Sequence, residues 1–329
     1  MDIKNKSRER KLVVLLLASI ILEGLLFLFF INPFLSYAIA SVGQNNVTVQ
    51  TLLTVGNSFP EILNITINNG NSVDLTPNGT VSISVYIVAR DYNGEADISS
   101  IRSEFFDNAS SNYGGADDNN YHYTNNTCNI DTAYGDSTEV NATCIFRLQY
   151  YANNATWNNT VFINDTTSAS SLSSKNAVIN TLLALGLPNS IDYGLVNATA
   201  VSSQSLANVT NFGNALFNLT LSGYAHYAGD NNSMNCSLGA AQNISINYEK
   251  YNLTASNTST LTLQQFENPY TNLSSSSTTK TFNLNYRQND TNPYIDDTNA
   301  TYWRIYVPVG VAGSCTGNIV FGAVKGAGT

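Results

Sequence analysis

"VNATCIFRLQYYANNATWNNTVFIND", residues 140 to 165, decides how the chain folds. Val140, Ala142, Cys144, Phe146, Leu148 and Tyr150 occupy every second position, with Asn141, Thr143, Arg147 and Gln149 between them. Strand side chains alternate with a period of two, so this spacing makes one apolar face and one polar face. After a short turn, Val161 and Ile163 share a parity opposite Asn158 and Asn164. The stretch reads as a hairpin with its apolar side inward. "TVSISVYIVA" (80–89) obeys the same rule through Val81, Ile83, Val85 and Ile87, and "FNLTL", "ISINY", "FNLNY" and "WRIYV" repeat it. Asn69-Gly70, Asn78-Gly79, Asn93-Gly94, Gly114-Gly115 and Gly229-Asp230 supply turns between the runs. Short alternating runs with turns at such intervals predict an all-β chain of antiparallel β-sandwiches.

Composition bounds what such a chain does. Its 329 residues suffice for two domains of ordinary size, and 43% hydrophobic content is enough to build their cores. Charged residues make up only 11%, against an ordinary share of about a quarter. Asn, Ser, Thr and Tyr carry the polarity instead, and the first three are poor in helix interiors. The net charge is −9 and the pI about 4.6. The first 40 residues hold five of the 14 basic residues and only three of the 23 acidic ones. The rest is therefore more acidic still, which argues against nucleic acid as a partner. Scarce charge also suits an acidic medium, where folds built on ion pairs weaken.

Lys4, Lys6, Arg8, Arg10 and Lys11 precede an apolar run from Leu12 to Ile31. Twenty residues at about 1.5 Å each span roughly 30 Å, the thickness of a bilayer's hydrocarbon core. The basic segment 1–11 should stay cytoplasmic, placing the chain after 12–31 outside. Ala38-Ile39-Ala40 matches a small-x-small cleavage site, so the run is either a retained anchor or a signal core cut after Ala40. Glu23 in mid-span favours the second, and the length of the run favours the first. Either way the bulk is exported, to the cell surface or beyond it, where disulfides form. Cys128, Cys144, Cys236 and Cys315 allow three pairings, of which 128 with 144 and 236 with 315 keeps each bridge inside one domain.

The first sandwich is expected over 41–165, the linker over the Ser/Thr-rich 166–176, and the second sandwich over 177–329. "AVINTLLALGL" (177–187) reads as a strand, with a short helix as the alternative. "VARDYNGEADISSIR" (88–102) and "FRLQYYANNATWNNTVFIND" (146–165) resemble a strand–turn–strand and a last hairpin of immunoglobulin-like domains in prokaryotic, archaeal-type cell-surface glycoproteins. "VTNFGNALFNLTLSG" (209–223) and "YWRIYVPVGVAGSCTGNIVFGA" (302–323) are similar to the opening strand and final hairpin of other envelope sandwich modules. The resemblance implies two immunoglobulin-like domains and a structural or adhesive role, with cell-envelope proteins or glycans as partners.

Candidate sites are few. About twenty Asn-x-Ser/Thr triplets follow the apolar run. Asn141, Asn158, Asn164, Asn218 and Asn243 fall on polar parities and Asn154 in a turn, so all six are candidate glycan sites. Asp91, Asn93 and Asp97 place oxygen ligands around an Asn-Gly turn, a candidate Ca²⁺ site. The turn at 153–159 is expected at the same end of the sandwich. Tyr151, Trp157, Tyr302 and Tyr306 are candidate rings for stacking on sugar. Two histidines and no nucleophile-elbow, zinc or phosphate-loop motif give no basis for an enzyme, and no other cofactor is expected.

Overall fold

In the computed structural model the described residues are 46, 48–255, 259–288 and 296–326. The basic segment 1–11 and the apolar run 12–31 lie outside them. Among the described residues no helix is long and apolar enough to cross a membrane. Residues 48–56 have no regular secondary structure. Asn57–Thr329 forms one compact unit containing two main cores.

Residues 140–165 form the two expected strands with the expected buried faces, but the strands do not pair with each other as a hairpin. β6 (Glu139–Gln149) and β7 (Thr156–Asp165) bury alternate side chains, from Val140 to Leu148 and from Trp157 to Ile163. The two strands lie in different sheets. One has the order β1 (Glu61–Ile67), β2 (Thr80–Arg90), β6, β5 (Asn129–Asp131). The other has the order β4 (His122–Asn125), β3 (Ile98–Asp107), β7, β8 (Ser170–Val178). All neighbours within them are antiparallel. Ile83, Val85 and Ile87 face Phe105, Trp157 and Val161 across a closed apolar core. Burying each such large side chain contributes about 1.5–3 kcal/mol.

β8 corrects the domain boundary. Most of the stretch read as a linker, 166–176, belongs to this strand, which pairs with β7 in nine consecutive register positions. Two Ser-Ser pairs flank its Leu172, and all of its side chains stay partly or fully in water. An edge strand that fully buries none of its side chains needs no apolar alternation, so its sequence reads as linker. "AVINTLLALGL" is divided between the end of β8 and the two-residue β9 (Leu185–Gly186) and has no helix.

The second sandwich contains a five-stranded sheet ordered β15 (Thr271–Asn272), β14 (Glu249–Asn252), β17 (Thr298–Ile305), β10 (Ser205–Asn211), β9. Two three-stranded sheets complete it: β16 (Thr278–Leu284), β11 (Phe217–Tyr224), β19 (Asn318–Lys325), and β13 (Asn243–Ser245), β12 (Asn232–Gly239), β18 (Val311–Thr316). Trp303, Phe217 and Tyr251 fill its main core. Arg304 is fully buried, and its guanidinium donates to the Tyr270 hydroxyl and to the carbonyls of Ser202 and Ser259. A single turn of helix, α1 (Leu263–Glu267), is fixed by a capping box between Thr262 and Gln265. Each sandwich carries its own disulfide, Cys128–Cys144 in the first and Cys236–Cys315 between β12 and β18 in the second.

Side-chain amides join the sandwiches. Asn214 is fully buried, and its amide donates to the carbonyls of Ala152 and Asn180 while its oxygen accepts from the Leu182 N–H. Asn211 folds the turn back on itself, accepting from the Gly213 N–H and donating to Ala215 and Leu284 carbonyls. A Cβ on Gly213 would lie 2.1 Å from the Leu182 carbonyl oxygen, so only glycine allows this approach. Phe212 meets Tyr150 edge-on at 6.0 Å. Nearby, Asn120 donates to the Tyr151 and Arg287 carbonyls, and Arg287 lies 4.8 Å over the Tyr151 ring. Asn214→Ala would strand one N–H and two carbonyls in a buried place, and we expect a loss of about 2–4 kcal/mol in urea unfolding. A loss under about 0.5 kcal/mol would contradict this account of the junction.

Candidate metal centre

Asp91 follows β2 on the inward parity of Ile87 and Ala89, and Asp165 ends β7 on the inward parity of Val161 and Ile163. Apolar strands that finish on an inward aspartate bury its carboxylate: Asp91 is 0% exposed and Asp165 1%. Asp97 closes the short 3₁₀ turn 95–97 before β3 and is half-buried. The register that pairs Ile98 with Asp165 brings Asp97 beside it. Gly94, at φ 121°, makes the turn that returns the chain from Asp91 to Asp97. Carboxylate oxygens of Asp91, Asp97 and Asp165 consequently lie within 4.8 Å of one another, drawn from both sheets of the first sandwich.

The surrounding donors are unevenly spread. Asp165 Oδ1 accepts from the N–H groups of Thr167 and Ala169 and from the Thr167 hydroxyl, and Oδ2 accepts from the Asn57 amide at 2.6 Å. Burial pushes this carboxyl up, but the donors from Asn57, Ala169 and Thr167 outweigh it and hold it below its ordinary value. Asp91 Oδ1 accepts from the Asn93 N–H at 2.8 Å and the Ser58 hydroxyl at 3.2 Å. Asp91 Oδ2 is buried and has no partner. Asp97 accepts from the Thr166 hydroxyl. Among the described residues, no salt bridge joins a basic side chain to any of the three.

Asp91 and Asp97 thus come together as the sequence suggests, while Asn93 turns elsewhere. Its side-chain oxygen accepts from the N–H and hydroxyl of Ser58, at 2.7 and 2.8 Å. Asp165 takes the third place. The turn at 153–159 is at the opposite end, because β6 runs antiparallel to β2 with Glu139 beside Arg90 and Gln149 beside Thr80. Eleven strand residues, roughly 35 Å, separate the two ends.

The other candidate residues are dispersed. Trp157 and Tyr151 are core residues, 0% and 2% exposed, which overturns their reading as sugar-stacking rings; Tyr302 and Tyr306 are half-buried. Asn243 is exposed, and Asn141, Asn158, Asn164 and Asn218 are half-buried. Asn218 accepts from the Phe282 and Asn283 N–H groups. The amide nitrogen of Asn154, the atom a glycan would occupy, donates to the Asn214 carbonyl at the sandwich junction. His122 is buried between the Ser111 hydroxyl, 2.8 Å from Nδ1, and Glu104, whose Oε2 is 3.5 Å from Nε2 and accepts from the Gly114 N–H. That trio ties the 108–121 loop to β3.

A buried acid outside this centre went unread in the sequence. Glu249 on β14 lines a cavity of about 280 Å³ with Tyr193, Met234 and Phe321, and Oε1 accepts from the Tyr193 hydroxyl at 2.7 Å. Burial raises its carboxyl to about 7, opposed by the Tyr193 bond. Between 4.5 and about 7 the folded chain keeps this proton and the unfolded chain does not. Its contribution to stability is therefore complete below 4.5 and lost as pH rises through about 7.

No known protein family matches the chain, and no curated protein matches it. Among solved structures, Escherichia coli alpha-2-macroglobulin activated by porcine elastase is similar at 8% identity and a TM-score of 0.19, over 80% of this chain and 22% of that one. The chain spans less than a quarter of that protein. Strand pairing alone defines the class: an all-β protein of antiparallel sandwiches with a disulfide in each. Glu249→Gln, which keeps the neutral form, is expected to flatten the fall in stability from pH 5 to 7 and to exceed the parent at pH 8. Parallel pH profiles in thermal unfolding would refute the assignment.

Proposed function

We propose that the chain is the ectodomain of a structural or adhesive cell-surface glycoprotein, built from immunoglobulin-like sandwiches of archaeal type. The observation that carries this reading is a separate disulfide in each sandwich, in a chain opening with a basic flank and a 20-residue apolar run. Disulfides persist in oxidising compartments, and such a run either anchors a chain or directs its export. The role is display and contact, with envelope proteins or glycans as partners, and neither catalysis nor nucleic-acid binding is part of it. The low charge favours this, since neutral amides and hydroxyls tolerate the varied pH and salt outside a cell.

A second reading, a cation-dependent binding module of the envelope, is favoured by the Asp91, Asp97 and Asp165 cluster. Its carbohydrate form loses support with Trp157 and Tyr151 buried.

External protease on intact cells should digest the 41–329 portion while spheroplast lysis adds no new fragments. Protection in intact cells, with four free thiols, would end the proposal. In peptide mapping of the native glycoprotein, Asn243 is expected to be modified and Asn154 bare, because the Asn154 amide holds the junction.

A further inference from the structure

Two carboxylates less than a tenth exposed share a small volume with a third, and one oxygen among them, Asp91 Oδ2, lacks any donor. Burying an anion without a hydrogen bond or counter-charge costs several kcal/mol. Asn120 Oδ1, Asn159 Oδ1 and Glu249 Oε2 are also buried without a hydrogen-bond partner, but of these atoms only Asp91 Oδ2 belongs to a cluster of three carboxylates. Its carboxylate stands within 4.8 Å of two others, so a cation there would meet three negative groups at once.

We propose that Asp91, Asp97 and Asp165 bind one Ca²⁺, which clamps the two sheets of the first sandwich and fixes the incoming segment at Asn57 and Ser58. The donor set selects the ion. Oxygen ligands without nitrogen or sulfur exclude zinc and copper preferences. Ca²⁺ takes six to eight oxygens at about 2.3–2.6 Å, so two ligands of one ion lie at most about 5 Å apart. The observed 4.8 Å limit fits that requirement. Mg²⁺ needs shorter, near-octahedral bonds and usually keeps several waters, for which a site with two buried carboxylates leaves little room. The half-exposed side at Asp97 remains open to solvent ligands.

The groups that orient these carboxylates are already in place. Asn57 donates to Asp165 Oδ2 and Thr167 Oγ1, at 2.6 and 2.8 Å, and Ser58 donates to Asp91 and Asn93. Such bonds orient metal-binding carboxylates. They also mean that ordering the carboxylates orders residues 57–58, more than 30 positions away in sequence from Asp91. The site goes beyond the display reading and stands on its own geometry, so its failure would leave that reading untouched.

Calorimetry on the full chain, stripped with EDTA, would test this with CaCl₂ as titrant. One Ca²⁺ per chain is expected, with Kd about 0.1–1 mM as in extracellular modules. About 10 mM Ca²⁺ should raise Tm by a few degrees and slow hydrogen exchange at the Ser58 amide. Asp97→Asn, at a half-exposed position that folding tolerates, should weaken binding at least tenfold. Asp91→Asn keeps the Oδ1 acceptor, so it should abolish the Ca²⁺ response yet raise Tm in EDTA, a sign reversal that a purely structural aspartate would not give. Asp192→Asn, in an exposed turn of the second sandwich, should respond like the parent. No heat and no Tm shift at about 10 mM Ca²⁺, an equal shift from Mg²⁺, or unchanged affinity in Asp97→Asn would each overturn the proposal.

Discussion

The side-chain amide of Asn214 reaches out of one sandwich and satisfies two backbone carbonyls of the other, Ala152 between β6 and β7 and Asn180 after β8. In a chain with few charges, groups of this kind do the polar work that ion pairs do elsewhere. An amide offers two donors and an acceptor without the desolvation cost of a full charge. Asn211, Asn120 and Asn214 all bond backbone rather than other side chains, so each fixes the path of the chain itself. Because backbone polar groups buried between two β-domains have to find partners, the packing of Phe212 on Tyr150 depends on these amides.

The same economy explains why so much of the fold was legible. Alternation over 80–89 and 140–165 identified the buried faces almost residue by residue, and that logic extends to the ends of the strands. Asp91 continues the parity of Ala89, Asp165 that of Ile163, and Trp157 that of Asn159 and Val161. Reading the parity one step further would have put both aspartates and the tryptophan inside. Asp165 stayed hidden because it is 68 residues from Asp97, and only the antiparallel register of β3 with β7 joins them. Asn93 was misleading for a related reason: its spacing suits a ligand, but a segment some 35 residues earlier occupies its oxygen.

β8 and Glu249 mark two limits of sequence reading. A strand that buries little carries no periodic signal, and a ladder of backbone bonds is invisible in composition. Glu249 sits beside Lys250 and Tyr251, a polar pattern that suggests a surface, yet its side chain shares an enclosed space with Tyr193, Met234 and Phe321. Its elevated carboxyl and the lowered ones at Asp165 and Asp230 pull the stability profile in opposite directions.

The incoming segment and the junction with the second sandwich lie at opposite ends of the first. Ser58 is bound beside Asp91, where β6 begins, and Asn214 binds Ala152, beyond the end of β6. A pull between the N-terminal side and the second sandwich would therefore run along the strands. The ladders of β1 with β2 and of β7 with β8, where the chain enters and leaves this sandwich, would be loaded in shear, many hydrogen bonds at once, rather than unzipped one by one.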